Sequence, residues 1–343
     1  MGWPAAERCP RLHALEASLG CSWPAITKAS KAAAEEFAGL ERLILPAPGR
    51  SLAEDVSLAI FGSLARGEWT SKSDLDWVLL IDGQVDETHF RIFQEVRKKL
   101  KDAGKIDPGT TGTFGDMAFS QGLVHQIGGS DDSNRNLTLR LLLLLESISV
   151  GDDVPRQRVV KAILRRYVAD DPSWTWMSDR KIPRFLLNDI VRFWRTMAVD
   201  FADKFHDQIG EKWALRNTKL RFSRKLIFLA GMLACFSWQL HPPAIPTAET
   251  PDGEIVVSHF VRYLSRPPLE ILADELLHGK VQTETCKKLF NSYDQFLAIL
   301  DDEKRREDLK QLPRDLAATS TLFQEVRRLS HEFRDGLLEC IQA

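Results

Sequence analysis

Cysteine is scarce in this chain of 343 residues, and its placement indicates no structural use. The five cysteines are odd in number and lie far apart, at Cys9, Cys21, Cys235, Cys286 and Cys340. Neither they nor the eight histidines show the spacing of metal ligands, which argues against a cysteine or histidine metal centre. Scattered thiols fit a reducing compartment, so we expect a cytoplasmic protein.

An excess of charge of one sign is also missing, because the net charge at pH 7 is only −2. Bulk attraction to nucleic acid is therefore not expected, and any such contact would need a local patch. The apolar stretches 139–145 and 226–240 are shorter than the roughly 20 residues that a bilayer requires, which indicates buried helices. The first residues lack the charged start and apolar run of a signal peptide. We expect a protein with no membrane segment and no broad nucleic-acid surface.

The most informative stretch contains Gly62-Ser63 and, further on, Asp74-Leu75-Asp76. Residues 56–61 predict a strand that leads into the glycine, and a second apolar strand is predicted to begin around the acids. Side chains two apart on a strand share a face, so both carboxylates should point together while Leu75 points into the core. Two close carboxylates favour a hard cation such as Mg²⁺. The glycine lets backbone approach a phosphate, whose oxygens N–H groups and the serine hydroxyl can hold.

The order strand, Gly62-Ser63, a spacer of about ten residues, Asp74-apolar-Asp76 and strand resembles the signature of the DNA polymerase β-like nucleotidyltransferase superfamily. The Ala-Arg-Gly at 65–67 is typical of its small bacterial members. The resemblance implies two Mg²⁺ or Mn²⁺ ions held by the two acids, and phosphates cradled by the glycine and serine. It further implies transfer of a nucleoside monophosphate from a nucleoside triphosphate, with ATP as the first candidate, to an acceptor hydroxyl with release of pyrophosphate.

The same resemblance implies a third acid from a later strand, and the sequence leaves several candidates open. Asp116, which precedes an apolar strand-like piece, is the first candidate as a catalytic residue. Asp107 is the second, and the pair Asp131 and Asp132 is the third. The alternative for each of these residues, taken alone, is an ordinary turn or cap residue.

A run of cations without any acid marks the second half of the chain. Its members are Lys212, Arg216, Lys219, Arg221, Arg224 and Lys225. A single helix is predicted from Trp213 to Gln239. In helical projection Lys212, Arg216, Lys219 and Ser223 form one polar stripe, and like charges at these spacings repel unless an anion lies against them. A solvated basic face is the alternative. Superfamily members with a helical second domain reach the β- and γ-phosphates with a lysine and a hydroxyl; Lys219 and Ser223 resemble that pair, and we include Arg216 among the nucleotide-binding candidates.

The expected architecture is α+β, with a polymerase β-type mixed sheet flanked by helices and then an all-α part. We predict a catalytic domain at 1–136 with an N-terminal helix at 24–45, and a helical domain at 137–343 that closes the nucleotide cleft. The second domain is predicted to begin with a helix at 137–149. Proline-rich breaks separate its later helices.

The acceptor cannot be chosen from the sequence. A protein hydroxyl, an RNA 3′ end and another nucleotide are all compatible with the motifs. The near-neutral charge counts modestly against a long RNA. The alternative to an enzyme is a catalytically silent member that senses nucleotide or binds a partner as an antitoxin-like module, which the uncertain third acid motivates.

Overall fold

The computed structural model describes residues 9–45, 51–105, 113–169, 171, 182–207, 212–242 and 252–342. Within these ranges the chain forms a four-stranded sheet and a large set of helices, which confirms the α+β class. The strands are β1 (Val56–Phe61), β2 (Asp76–Ile81), β3 (Asp116–Phe119) and β4 (Ile148–Val150). The helices are α1 (Pro10–Leu19), α2 (Pro24–Ile44), α3 (Gly62–Arg66), α4 (Glu87–Asp102), α5 (Ser120–His125), α6 (Asn134–Leu145), α7 (Val154–Ala169), α8 (Arg184–Asp207), α9 (Trp213–Arg221), α10 (Ser223–Leu240), α11 (Asp252–Leu264), α12 (Pro268–His278), α13 (Thr283–Asp301), α14 (Glu303–Gln311) and α15 (Thr321–Gln342).

The sheet has the strand order β3-β2-β1-β4, with β1 antiparallel to β2 and β4, and β2 parallel to β3. Every residue of β1 is buried, because helices cover both faces of the sheet and β1 lies inside it. The register pairs Phe61 at the end of β1 with Asp76 at the start of β2. The residue after β1 therefore lies beside the first acid of β2.

The two faces of the sheet belong to different apolar clusters. Trp77 and Leu79 point to one face and pack with side chains of α2 and α4. Val78 and Leu80 point to the other face and join a larger cluster with side chains of the later helices. This alternation is the two-residue period of a strand, with both of its faces apolar.

The larger cluster continues across residue 137, where the sequence predicts a domain boundary. Helix α6 itself begins before that position. The N-terminal helices also bind later ones, because the amides of Arg11 and Leu12 donate to Glu270 at 2.7 and 3.1 Å. The two apolar clusters are divided by the sheet and not at residue 137, and the division into 1–136 and 137–343 stays a prediction.

The predicted helix at 137–149 is wrong at its end. Helix α6 stops at Leu145, and the three residues of β4 pair with β1, with Leu58 opposite Val150. The β-branched Ile148 and Val150 favour an extended conformation, and β1 offers them an open edge. The leucine-rich run preceding them hides this change in the sequence.

The predicted helix from Trp213 to Gln239 is two helices, α9 and α10. They are separated at Phe222, whose backbone has φ −115° and ψ −88°. The Phe222 ring is buried and stacks on Phe296 with centroids 4.5 Å apart, and Phe333 packs on it at 5.3 Å. Tertiary packing of this ring overrides the helical preference of its neighbours.

In the described part of the chain, no helix combines the length and apolar character that crossing a membrane would need.

Candidate active site

A cavity of about 250 Å³ lies where β1 ends, β2 begins and α6, α8, α10, α13 and α14 converge. Six residues predicted from the sequence line it together: Gly62, Ser63, Asp74, Asp76, Lys219 and Ser223. The first four come from one short segment, and the last two lie on α9 and α10. The fold thus brings together two groups that are far apart in the chain.

Gly62 has φ +70°, a left-handed conformation that side chains other than glycine rarely adopt. A Cβ atom at this position would lie 2.7 Å from Oδ2 of Asp76. Both the backbone conformation and the close approach therefore require glycine here. The result is a backbone turn that runs directly against a carboxylate.

Asp74 and Asp76 are held in different ways. Strand β2 begins at Asp76, so sheet pairing fixes that residue, whereas the exposed Asp74 lies in the loop before the strand. Leu75 between them is buried, as predicted. The loop closes with a tight turn in which the Ser73 amide donates to the Thr70 carbonyl at 2.9 Å.

Two side chains of the cavity are electrostatically perturbed. Burial, followed by the charges of Glu146 and Asp74, raises the pKa of Asp76 to about 6, although Lys219 opposes this. Burial, followed by the charge of Arg306, lowers the pKa of Lys219 to about 8. Confined charges of both signs at one site are typical of functional clefts.

Lys219 and Arg224 both line the cavity, and neither forms a salt bridge with any residue that the structure describes. Burial is the largest cause of a lowered pKa for Arg224, and nearby carboxylates only partly offset it. Both side chains are partly buried, where a cation without a direct partner is costly, and an anion would relieve that cost. These two cations would therefore stabilise a negatively charged ligand in the cavity.

A buried polar network that the sequence did not reveal forms part of the cavity wall. Arg66 donates from Nε to Glu68 at 2.8 Å and from Nη1 to Glu146. The Tyr293 hydroxyl donates to the other oxygen of Glu68 at 2.7 Å. Burial raises the pKa of Glu146, and Arg66 opposes that shift. The network joins α3, the end of α6 and α13, so it holds the Gly62-Ser63 turn against the helices.

Apolar side chains also line the cavity. Phe114 precedes β3, while Phe193 and Met197 lie on α8 and Ile227 on α10. A ligand with a charged part and an apolar part would match this mixed lining.

Asp116 is not among the residues that line the cavity. Asp116 on β3 lies opposite Val78 on β2. Val78 follows Asp76 by two residues, so Asp116 and Asp76 are on the same face of the sheet. The Asp116 carboxylate is about half exposed and accepts from Arg135 at 2.7 Å. Its catalytic role stays a prediction, and the structure offers it a surface ion pair instead.

The other acids considered for this role have different positions. Asp107 lies outside the described residues. Asp132 is buried and accepts two bonds from Arg140, at 3.0 and 2.9 Å, which stabilises a core ion pair. Asp131 is exposed next to it. Neither member of this pair lines the cavity.

Arg216 is also outside the cavity lining. The cavity meets the last turn of α9 and the start of α10, and Arg216 lies one turn earlier on α9 than Lys219. The break at Phe222 also means that the predicted stripe does not continue along one helix. Arg224 takes a place at the cavity that the sequence analysis did not single out from the basic run.

The carboxylate pair suits a hard divalent cation. Asp74 and Asp76 provide only oxygen donors, and Mg²⁺ commonly binds one or two carboxylates and completes its shell with water and phosphate oxygens. Among the residues that the structure describes, no group of three His, Cys, Asp or Glu side chains is arranged to hold a metal. The donor set fits a metal that arrives with its phosphate ligand rather than one held in an all-protein cage.

A comparison with known protein families gives a match over the segment that contains the glycine, the serine and the two acids of the cavity. Residues 49–109 match the family model described as the nucleotidyltransferase domain. The match includes β1, α3 and β2, with Gly62, Ser63, Asp74 and Asp76. A search among curated proteins found no match for the chain.

Proposed function

We propose that the protein is a metal-dependent nucleotidyltransferase of the polymerase β-like superfamily, because residues 49–109 match the family model of the nucleotidyltransferase domain. It transfers a nucleoside monophosphate from a nucleoside triphosphate to an acceptor hydroxyl. The acceptor hydroxyl releases its proton to water and its oxygen bonds to the α-phosphorus, while the bond from the α-phosphorus to the bridging oxygen breaks and pyrophosphate leaves. ATP is the first candidate as donor.

In this proposal one short segment, with Gly62, Ser63, Asp74 and Asp76, binds the phosphates and the metal. Asp74 and Asp76 would hold Mg²⁺ or Mn²⁺, which supplies charge stabilisation for an in-line displacement at phosphorus. The Gly62-Ser63 turn donates hydrogen bonds to the β- and γ-phosphates. Lys219 and Ser223 bind the same phosphates from the opposite wall. Most of the rate would come from positioning and charge stabilisation.

The observation that carries the proposal is the shared cavity. Two carboxylates, Asp74 and Asp76, line the cavity beside a positive-φ glycine. Three cations, Lys219, Arg224 and Arg306, line it as well and form no salt bridge with a described residue. A triphosphate with a divalent cation matches both signs of charge at once. A purely structural cluster would instead pair its charges directly, as Arg140 and Asp132 do.

The acceptor remains a protein hydroxyl, an RNA 3′ end or another nucleotide. A net charge of −2 gives little general attraction to a long nucleic acid. None of the five cysteines, all of which lie in the described ranges, forms a disulfide bond, and we propose a cytoplasmic protein.

One observation favours a second candidate, a catalytically silent module that binds nucleotide. Asp116 lies outside the cavity lining and is paired with Arg135, so the cavity holds no third acid from β3. A protein of this kind would bind a triphosphate without transferring it.

The decisive experiment incubates the purified protein with each of the four labelled ribonucleoside triphosphates and Mg²⁺ or Mn²⁺. We expect transfer to the protein itself, to added RNA or to a nucleotide. Asp74→Asn and Asp76→Asn should each lower the rate by at least ~100-fold, because each removes stabilisation of the reacting phosphates. The control Asp102→Asn changes an exposed carboxylate at the end of α4 and should leave the rate unchanged.

The outcomes separate the candidates. Thermal stabilisation by a triphosphate without any transfer would support the silent module and contradict the enzyme. Absence of both transfer and stabilisation would remove both candidates.

A further inference from the structure

Arg306 on α14 lies in a run of charged residues that resembles a solvated helix face, yet its side chain is 8% exposed. It donates from Nη1 to Thr70 Oγ1 at 2.9 Å and from Nη2 to the carbonyl of Lys72. The two bonds reach both sides of the turn at 70–73. The flat fork of a guanidinium can bridge two such points, which a lysine ammonium on a single stem cannot do equally well.

The turn that Arg306 holds is the last feature of the chain before Asp74. Besides its own hydrogen bonds, it has one more link to α14, a 3.3 Å contact between Lys72 Nζ and Glu303. Asp76 owes its position to the pairing of β2 with β1, but Asp74 precedes the strand and lacks that support. The position of Asp74 therefore depends on a turn that α14 holds in place.

Arg306 also contributes charge to the cavity. It lines the same space as Asp74 and Lys219, and it forms no salt bridge with a carboxylate in the described ranges. Its bonds go to a hydroxyl and to backbone carbonyls, so no carboxylate binds it directly, although the charges of Asp74 and Asp301 lie near enough to favour its charged form. A phosphate in the cavity would give the guanidinium a direct anionic partner.

We propose that Arg306 is a positioning residue that couples the two halves of the site: its fork holds the turn before Asp74, and its charge faces the triphosphate. This inference rests on the proposed function and extends it to a residue 232 positions after Asp74 in the chain. The fork and the charge can be separated by substitution. Lysine keeps the charge and loses the bridge, and glutamine loses the charge as well.

The experiment compares Arg306→Lys and Arg306→Gln with the wild-type protein. For each we would measure kcat, KM for the triphosphate, the Mn²⁺ concentration that gives half-maximal rate, and thermal stabilisation by a non-hydrolysable triphosphate. Arg305→Gln is the matched control, because Arg305 lies next to it on α14, pairs with Glu325 and does not line the cavity.

We expect Arg306→Lys to bind the triphosphate within about threefold of wild type, while kcat falls and the Mn²⁺ requirement rises by ~10–100-fold, the range for residues that orient metal ligands. Arg306→Gln should also lose stabilisation by the triphosphate. Arg305→Gln should behave as wild type. Thr70→Val removes the hydroxyl that accepts from Arg306 and leaves the charge of Arg306 in place. As in Arg306→Lys, kcat should fall and the Mn²⁺ requirement should rise, here by about 5–10-fold.

Thr70→Val decides the question if the Arg306 variants do not fold. Wild-type kcat and Mn²⁺ dependence in Arg306→Lys and in Thr70→Val, from a wild-type protein that transfers nucleotide, would overturn this inference and leave the proposed function intact. A wild-type protein that neither binds nor transfers nucleotide would overturn both.

Discussion

Gly62 and Asp76 approach each other so closely that a single added carbon would meet the carboxylate, at 2.7 Å from Oδ2. The contact results from the register of the sheet, in which Phe61 ends β1 opposite Asp76 at the start of β2. One carboxylate is thus fixed by the same backbone turn that would bind phosphate. Substitution at the glycine should disturb both groups together.

We expect Gly62→Ala to lower stability and transfer. The left-handed backbone costs a residue with a Cβ atom about 1–2 kcal/mol, and the contact displaces Asp76 as well. The rate should fall by at least ~100-fold because the phosphate and metal positions shift together. Denaturant unfolding and the transfer assay measure the two effects.

The control for this change is Gly129→Ala, where a Cβ atom would meet nothing within 4 Å and φ is not positive. It should leave both quantities unchanged. A Gly62→Ala protein with normal transfer would contradict the assigned role of the turn.

Lys219 and Arg216 form a matched pair one turn apart on α9. Lys219 lines the cavity and Arg216 does not. We expect Lys219→Gln to weaken triphosphate binding by ~10–100-fold, because a buried cation facing phosphate is removed. Arg216→Gln should change binding by less than about threefold, as is usual for a charge outside the binding site. Calorimetry with a non-hydrolysable triphosphate measures both, and equal losses would contradict this placement of the cavity.

His259 on α11 should make stability depend on pH. Burial is the main cause that lowers its pKa to about 4, and its Nε2 lies 2.9 Å from Ser237 Oγ. Because the unfolded histidine has a pKa near 6.5, the unfolded state binds more protons than the folded state between these values. The contribution of His259 to stability is therefore constant above about pH 6.5 and is lost progressively as the pH falls toward 4.

Urea unfolding at a series of pH values tests this expectation. His259→Gln should flatten the decline between pH 6.5 and 4, since glutamine does not titrate. The exposed His331 provides the control, and His331→Gln should keep the wild-type profile. An unchanged slope in His259→Gln would show that another group causes the decline.

The local part of the site could be predicted because its signal lies within one short segment. Gly62, Ser63, Asp74 and Asp76 follow from strand patterning and turn chemistry, and the family model covers them. Asp74 precedes β2 rather than lying in it; a sequence pattern locates a strand better than it locates the first residue of that strand. The start and end of α2 at Pro24 and Ile44 were similarly visible from its composition.

Other parts depend on contacts between distant segments and leave no local signal. The inward turn of Arg306 is decided by Thr70, and the surrounding charges resemble a solvent-exposed face. The break at Phe222 is decided by rings on α13 and α15. Strand β4 was missed because β1, which accepts it, lies about 90 residues earlier in the chain.

The buried bond from Tyr293 to Glu68 has a consequence for how substrate enters. Together with the bond from Arg306 to Thr70, it joins the walls of the cavity at two points beneath the surface. Rotating the walls apart about a hinge would break both bonds and hydrate the buried Arg66, a combined cost of several kcal/mol. We expect nucleotide to enter a cleft whose walls stay together, with discrimination by shape and charge rather than by large closure. Scattering curves with and without nucleotide should then superimpose.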